Sequence, residues 1–237
     1  MRSTHTGGLS VPLKGFEILD FAFIAKYTPL YVEAAGLTLR LGLCGILFSL
    51  IIGLLCSFIV YYRIPVLRKI ALCYIELSRN TPLLVQLFFL YFGLPKLGIV
   101  ISSGSCAIIG LSFLGGSYMT EAFRSGLEAV EKNQVEAGLS VGLTHGQVMR
   151  YIALPQALTV SLPALCSNVI FIIKETSVFS AVALADLMFV AKDLIGLYYK
   201  TDEALFMLVI AYIIILLPIS IAATILERRM RYAGFGT

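Results

Sequence analysis

The chain has 237 residues, of which 59% are hydrophobic and only 14% charged, and its mean hydropathy is +0.92. A water-soluble domain has about a quarter of its residues charged, so most of this surface is built to face something other than water. The net charge of +4 is small and dispersed, which argues against nucleic-acid binding. The five cysteines stand in apolar stretches without a C-x-x-C pair or a Cys/His cluster. They read as buried small apolar residues, and neither a metal site nor a disulfide framework is indicated.

At the N-terminus, Arg2 is followed by a polar run, Ser3 to Gly8, and no apolar core with a cleavage site comes after it, so a signal peptide is not expected. Phe16 to Tyr27 mixes Glu17, Asp20 and Lys26 with Phe and Ile, the pattern of an amphipathic helix lying at a membrane interface. A membrane-crossing helix needs about 20 mostly apolar residues. Leu37 to Tyr62 meets that, with Arg40 near its start. Its small residues Gly45, Ser49, Gly53 and Ser57 recur every fourth position, a stripe that admits a close neighbour either within the chain or in another subunit.

Leu67 to Phe92 is a second span, but it contains Glu76, Arg79 and Pro82. Cys106 to about Phe123 is a third, with Ser112 and Gly116 in the small-residue relation and Glu121 and Arg124 at its end. The fourth runs from about Leu158 to Leu184 and is interrupted by Lys174 and Glu175; the fifth, Leu205 to Leu226, is uninterrupted. The expected fold class is therefore an all-α integral membrane protein with five transmembrane helices.

Basic residues near span ends set orientation. The turnback holding Arg63, Arg68 and Lys69 and the C-terminal Arg228, Arg229 and Arg231 fall on one side, the expected cytoplasm, which leaves the N-terminus outside. This divides the chain into an external or interfacial segment over 1–30, a transmembrane domain over 31–231 and a cytoplasmic tail over 232–237.

The cytoplasmic segment from Glu121 to Pro155 is too polar for membrane and too patterned for a slack loop. Asn133 precedes Glu136 by three residues and Thr144 precedes Gln147 by three, two capping arrangements. Gly138 and Gly142 permit a bend, so two short helices with a turn near Gly142 are predicted, suited to docking a soluble partner. His145 in this segment reads as a solvated polar residue.

An intramembrane charge costs about 2.5–3.5 kcal/mol and is rarely retained without a partner or a water-filled cavity. Glu76 and Arg79 share one helix face roughly 13–18 Å into the second span. Pro82 removes a helix hydrogen bond there and disfavours helix at Thr81. One reading makes Arg79, Thr81 and Gln86 the lining of a solute path, with Arg79 taking a carboxylate and Glu76 an ammonium group. The other is a Glu76–Arg79 ion pair beside a simple kink. Lys174 and Glu175 either face the path or snorkel from a helix end.

Two segments carry a family resemblance. Glu136-Ala137-Gly138, three residues, Gly142, nine residues, then Ile152-Ala153-Leu154-Pro155 resembles the EAA loop of ATP-binding-cassette importer permeases, with Gly138 where the pattern has Ala. Arg79-Asn80-Thr81-Pro82-Leu83-Leu84-Val85-Gln86-Leu87 is similar to the R-G-T-P-L-L-x-Q-L segment of the polar amino acid permeases, with Asn80 for Gly. Lys174-Glu175-Thr176-Ser177 resembles their K-[DE]-T-S segment.

The resemblance implies a type I importer permease fold with a cytoplasmic coupling helix, in a bacterial cell membrane. It implies a coupling role for Glu136, Ala137, Gly138, Gly142, Ile152, Leu154 and Pro155. Glu76, Arg79, Thr81, Pro82, Gln86, Lys174, Glu175, Thr176 and Ser177 become the candidate substrate path. The implied partners are an ATPase dimer, a second permease subunit (identical or paralogous), a solute-binding protein or domain outside, the amino acid and membrane lipid. No phosphate-binding G-x-x-x-x-G-K-[ST] loop and no catalytic motif occurs, so the chain reads as no enzyme, with no cofactor or metal of its own and Mg-ATP on the partner. The competing readings are an ion-coupled secondary transporter or channel using Glu76 or Glu175, and a permease for another solute such as methionine or phosphate.

Overall fold

The computed structural model describes residues 19–234, which are helical but for short turns and connections. Helix α1, Phe21–Tyr61, is followed by α2, Leu67–Arg79, and α3, Leu83–Phe88. A wide π turn, Phe89–Gly93, and a tight 3-10 turn, Leu94–Leu97, close this part. Then come α4, Ser103–Glu128, and the short α5, Lys132–Ser140, and α6, His145–Val148. A π turn over Met149–Ala153 leads into α7, Leu154–Glu175, which tightens into a 3-10 segment, Thr176–Val182. Helices α8, Leu187–Tyr198, and α9, Thr201–Gly234, complete the chain.

Four stretches are long and apolar enough to cross a membrane: α1, α4, the run His145–Val182 and Thr201–Met230. The predicted span Leu67 to Phe92 is not one helix but α2 and α3, parted at Asn80–Pro82. The predicted interfacial helix is corrected as well. Phe21 to Tyr27 forms the first turns of α1, and residues 16–18 lie outside the described part. Asp20 causes this, because its carboxylate accepts from the Phe23 N–H at 3.1 Å and so starts the helix sixteen residues ahead of Leu37. The 41 residues of α1 span about 60 Å at 1.5 Å each, twice a bilayer core of about 30 Å.

Helices within a membrane gain little from the hydrophobic effect, since lipid is as apolar as Leu, so close packing must hold them. The small-residue stripe supplies it inside this chain. A Cβ on Gly45 would sit 2.8 Å from Leu111, one on Gly53 2.4 Å from Met119, and one on Gly115 2.2 Å from the Ser49 hydroxyl. Ser49 Oγ donates to the Gly45 carbonyl at 2.7 Å and also lies 3.2 Å from that of Leu111. The stripe is thus the α1–α4 seam. Gly116 gives way in turn to Tyr74 and Ile52.

Helix α8 has no counterpart in the predicted elements, because its 12 residues are too few to cross. Its signal was Asp186, which N-caps it through the Phe189 N–H at 3.0 Å. The N-terminus of α1 is clasped to the α8–α9 turn and the start of α9. Lys200 Nζ lies 3.3 Å from both Asp20 and Glu203, and the Tyr31 hydroxyl donates to the Ala204 carbonyl at 2.8 Å.

Candidate functional site

The break between α2 and α3 is specified residue by residue. Pro82 has no N–H, so the carbonyl of Ser78, four residues earlier, loses its helical partner. Gln86 restores it: Nε2 donates to Ser78 O at 3.2 Å and to Thr81 O at 3.0 Å. Thr81 Oγ1 donates to Leu77 O at 2.8 Å, and Asn80 Nδ2 donates to Glu76 O at 2.8 Å and to Glu76 Oε2 at 3.1 Å. Every backbone carbonyl from Glu76 to Ser78 is thereby served by a side chain, which makes irregular backbone tolerable inside a membrane protein.

This arrangement removes one earlier reading, the Glu76–Arg79 ion pair. Glu76 is exposed and its carboxylate is held by Asn80. Arg79 turns the other way, toward α4, with its guanidinium 5.3 Å from the Tyr118 ring and 3.9 Å from Glu121 Oε2. Glu121 is gripped by Arg124 at 2.6 Å, and Arg124 holds both oxygens of Glu128 at 2.8 and 2.9 Å.

A cavity of about 320 Å³ opens beside the break. Arg79, Thr81 and Pro82 line one part, Tyr118 and Phe171 another, and Glu175 at the end of α7 with Val178 of the 3-10 segment a third. Arg79 and Glu175 thus bring a cation and an anion to one small cavity with aromatic walls, the layout of a pocket for a small charged or zwitterionic molecule. Glu175 forms no ion pair among the described residues.

The other expected path residues lie elsewhere. Gln86 supports the break and borders a larger, apolar groove with Phe89 and Phe113. Lys174 is exposed and does not line the cavity. Thr176 is fully buried behind it, donating to Ile173 O at 2.7 Å and packing under Gly42; Ser177 is half-buried outside the lining. Tyr118 and Phe171 were missed in the sequence, since an aromatic within an apolar span looks like any core residue. Among the described residues no cluster of His, Cys, Asp or Glu suits a metal ion.

The second constellation is the loop from α4 to α7. Helices α5 and α6 form with their turn at Gly142, whose φ of +89° is open chiefly to glycine. The Thr144–Gln147 capping box is complete, with Gln147 Oε1 accepting from Thr144 N at 2.8 Å and Thr144 Oγ1 accepting from Gln147 N at 3.3 Å. The expected cap at Asn133 is not used. Glu131 takes that place with extended backbone, where its negative charge favours a helix N-terminus, and Asn133 lies inside α5.

Gly138 stands at a close contact between helices. A Cβ there would meet Ile152 at 2.7 Å and Val148 at 3.0 Å, so α5 rests directly on the turn before α7. Gln134 and Gln156 hydrogen-bond across the same junction. Pro155 sits in the first turn of α7, directly after the π turn over Met149–Ala153. Glu136, Ala137, Gly138, Gly142, Ile152, Leu154 and Pro155 are thus gathered in one compact polar-faced knob.

The profile of the family described as "Binding-protein-dependent transport system inner membrane component" matches residues 45–232. The chain belongs to this family. It is 36% identical over 196 residues to the probable amino-acid ABC transporter permease protein PatM of Vibrio harveyi, covering 81% of this chain and 88% of that one. It is 33% identical over 214 residues to the glutamine transport system permease protein GlnP of Escherichia coli K12, covering 90% and 98%. Among solved structures, an amino acid ABC transporter crystallised with histidines aligns with TM-score 0.83 at 33% identity, over 90% of this chain and 99% of that one. The methionine ABC transporter MetNI aligns at TM-score 0.71 and 20% identity, a likeness of fold. The fold is thus that of the type I importer permeases, and the ion-coupled transporter is not favoured.

Proposed function

We propose that this family member is the membrane-spanning subunit of an ATP-driven importer of polar amino acids. What supports the substrate class most is the placing of Arg79 and Glu175 on one cavity at the broken helix. An amino acid carries a carboxylate and an ammonium group a few ångströms apart. Arg79 is the carboxylate partner and Glu175, in place of the exposed Glu76, the ammonium partner. The amino-acid relatives point the same way. Thr81 and Pro82 shape the cavity wall, while Gln86 keeps the break in register.

The chain works as a pair with a second permease subunit, identical or paralogous, and receives solute from a binding protein outside. The knob built on Gly138 and Gly142 docks one ATPase of the pair; the ATPases alone bind Mg-ATP, so this subunit performs no hydrolysis. Movement of α5 and α6 reaches α4 through the three residues Ala129, Val130 and Glu131, and reaches α7 through Ile152 and Gln156. The basic turn at Arg63, Arg68 and Lys69 and the basic end of α9 lie in the cytoplasm of a bacterial cell.

The test is uptake of a panel of radiolabelled polar amino acids into proteoliposomes holding the complete complex. Uptake is expected to require ATP and to vanish in Glu136→Arg, where charge reversal opposes ATPase docking. Uptake driven by an ion gradient without ATP would overturn this reading.

A further inference from the structure

Four charged side chains run from the cavity toward the coupling knob: Arg79, Glu121, Arg124 and Glu128. They are unequally held. Arg124 lies 2.6 Å from Glu121 and 2.8 Å from Glu128, and both contacts join residues one turn apart on α4. Arg79 comes from another helix and reaches Glu121 at only 3.9 Å, with its side chain 43% exposed. Two cations face two anions, so the group is neutral only while Arg79 belongs to it. Arg124 is fully served without Arg79, so Arg79 is the member free to exchange. Its alternative partner is whatever anion enters the cavity it lines.

We propose that Glu121 is a positioning residue that competes with the solute's carboxylate for Arg79 and thereby sets how readily the cavity releases its solute. This rests on the amino-acid reading given above. When a solute carboxylate takes Arg79, the α4 ladder is left with one uncompensated negative charge beside the solute. Binding is weakened by that repulsion, and Arg79 has a ready partner to return to. Glu121 and Glu128 stand on the last two turns of α4, immediately before α5. Gly126, between them, lies so close to the Ala157 carbonyl that a Cβ would approach to 2.3 Å, which fixes this end of α4 to the start of α7. The end of α4 that carries Glu121 is thereby packed against the helix that follows the coupling helices.

The test uses the assembled permease–ATPase complex in lipid nanodiscs, without binding protein. Equilibrium binding of radiolabelled L-glutamine and L-arginine is measured beside maximal uptake rates in vesicles. Glu121→Gln keeps an acceptor for Arg124 but removes the charge, and Glu121→Asp keeps the charge but shortens the reach to Arg79. Both are expected to bind solute about 2- to 5-fold more tightly, the range of a partly exposed ion pair, while the maximal uptake rate falls. Adding Arg79→Gln should erase the gain, and amino acid amides lacking the carboxylate should show none.

Wild-type or weaker binding by both Glu121 variants, in a complex where Arg79→Gln does weaken binding, would overturn the competition and leave the cavity assignment standing. Binding indifferent to Arg79→Gln would remove the amino-acid site itself, and this proposal with it.

Discussion

Gln86 shows how one side chain can hold a functional irregularity. Its amide reaches back over the break to the Ser78 and Thr81 carbonyls. Gln86→Leu keeps the volume and removes the donor. It is expected to destabilise the complex by about 1–3 kcal/mol, the cost of leaving a buried carbonyl unserved, as a lowered melting temperature in detergent. Gln86→Glu, with no donor when ionised, should fare worse. An unchanged melting temperature in both would mean that the break does not depend on this bond. That Pro82 would break the helix was legible in the sequence, since a missing N–H is a local fact. That Gln86 repairs it, and that Glu76 turns to Asn80 and Arg79 to Glu121, was not. Neighbours on one helix face look paired until the end of that helix is placed, and α2 ends at Arg79 itself.

At the scale of elements, the two short helices between α4 and α7 and their turn at Gly142 were legible in the sequence, although the cap expected at Asn133 was not used. Their signals are local: a capping box, a glycine with positive φ and a proline at a helix start. Gly142→Ala meets no neighbouring atom, so its cost is backbone strain alone, about 1–2 kcal/mol, and it should weaken ATPase copurification without unfolding the membrane part. Gly138→Ala pushes chiefly on the flexible end of Ile152 and gains helix propensity of up to about 1 kcal/mol, so near-normal ATPase docking is expected. Gly138→Leu cannot be accommodated against Val148 and Ile152 and should abolish docking. Equal copurification by all three variants would show that the packing of α5 on the turn before α7 is not what presents the knob. The small-residue stripe was equally visible, but its partner was not. Four-residue spacing announces a close neighbour without saying whether it lies in the same chain, and contact with α4 answers that.

For the whole molecule, the long helix α1 is joined to the far end of the chain by the Asp20–Lys200–Glu203 clasp. The Asp20 carboxyl is held below its ordinary value, first by the Phe23 N–H and then by Lys200. Its share of the clasp is therefore present above about pH 4 and lost as the pH falls through that lowered value. Lys200 is raised by Asp20 and then Glu203, so its share is present at neutral pH and lost only above about pH 10. The contribution of these groups to the melting temperature should accordingly be constant between about pH 5 and 9. Asp20→Asn should narrow its difference from wild type below about pH 4. A difference that stays constant to lower pH would show that the Asp20 charge is not what closes the clasp. The long apolar helices α1, α4, α7 and α9 followed from hydropathy, whereas the break between α2 and α3 and helix α8 did not, and this clasp joins residues 180 positions apart with no local signature.

The central claim is that a zwitterionic solute is held between Arg79 and Glu175 in the cavity beside the broken helix. The most direct measurement compares ATP-dependent amino acid uptake by wild type, Arg79→Gln and Glu175→Gln, in vesicles where ATPase docking is shown to be intact. Each substitution is expected to lower uptake by at least about tenfold, in keeping with the loss of one charge-assisted contact of about 1.5–3 kcal/mol. Undiminished uptake by both variants would contradict the claim and place the solute path elsewhere in the fold.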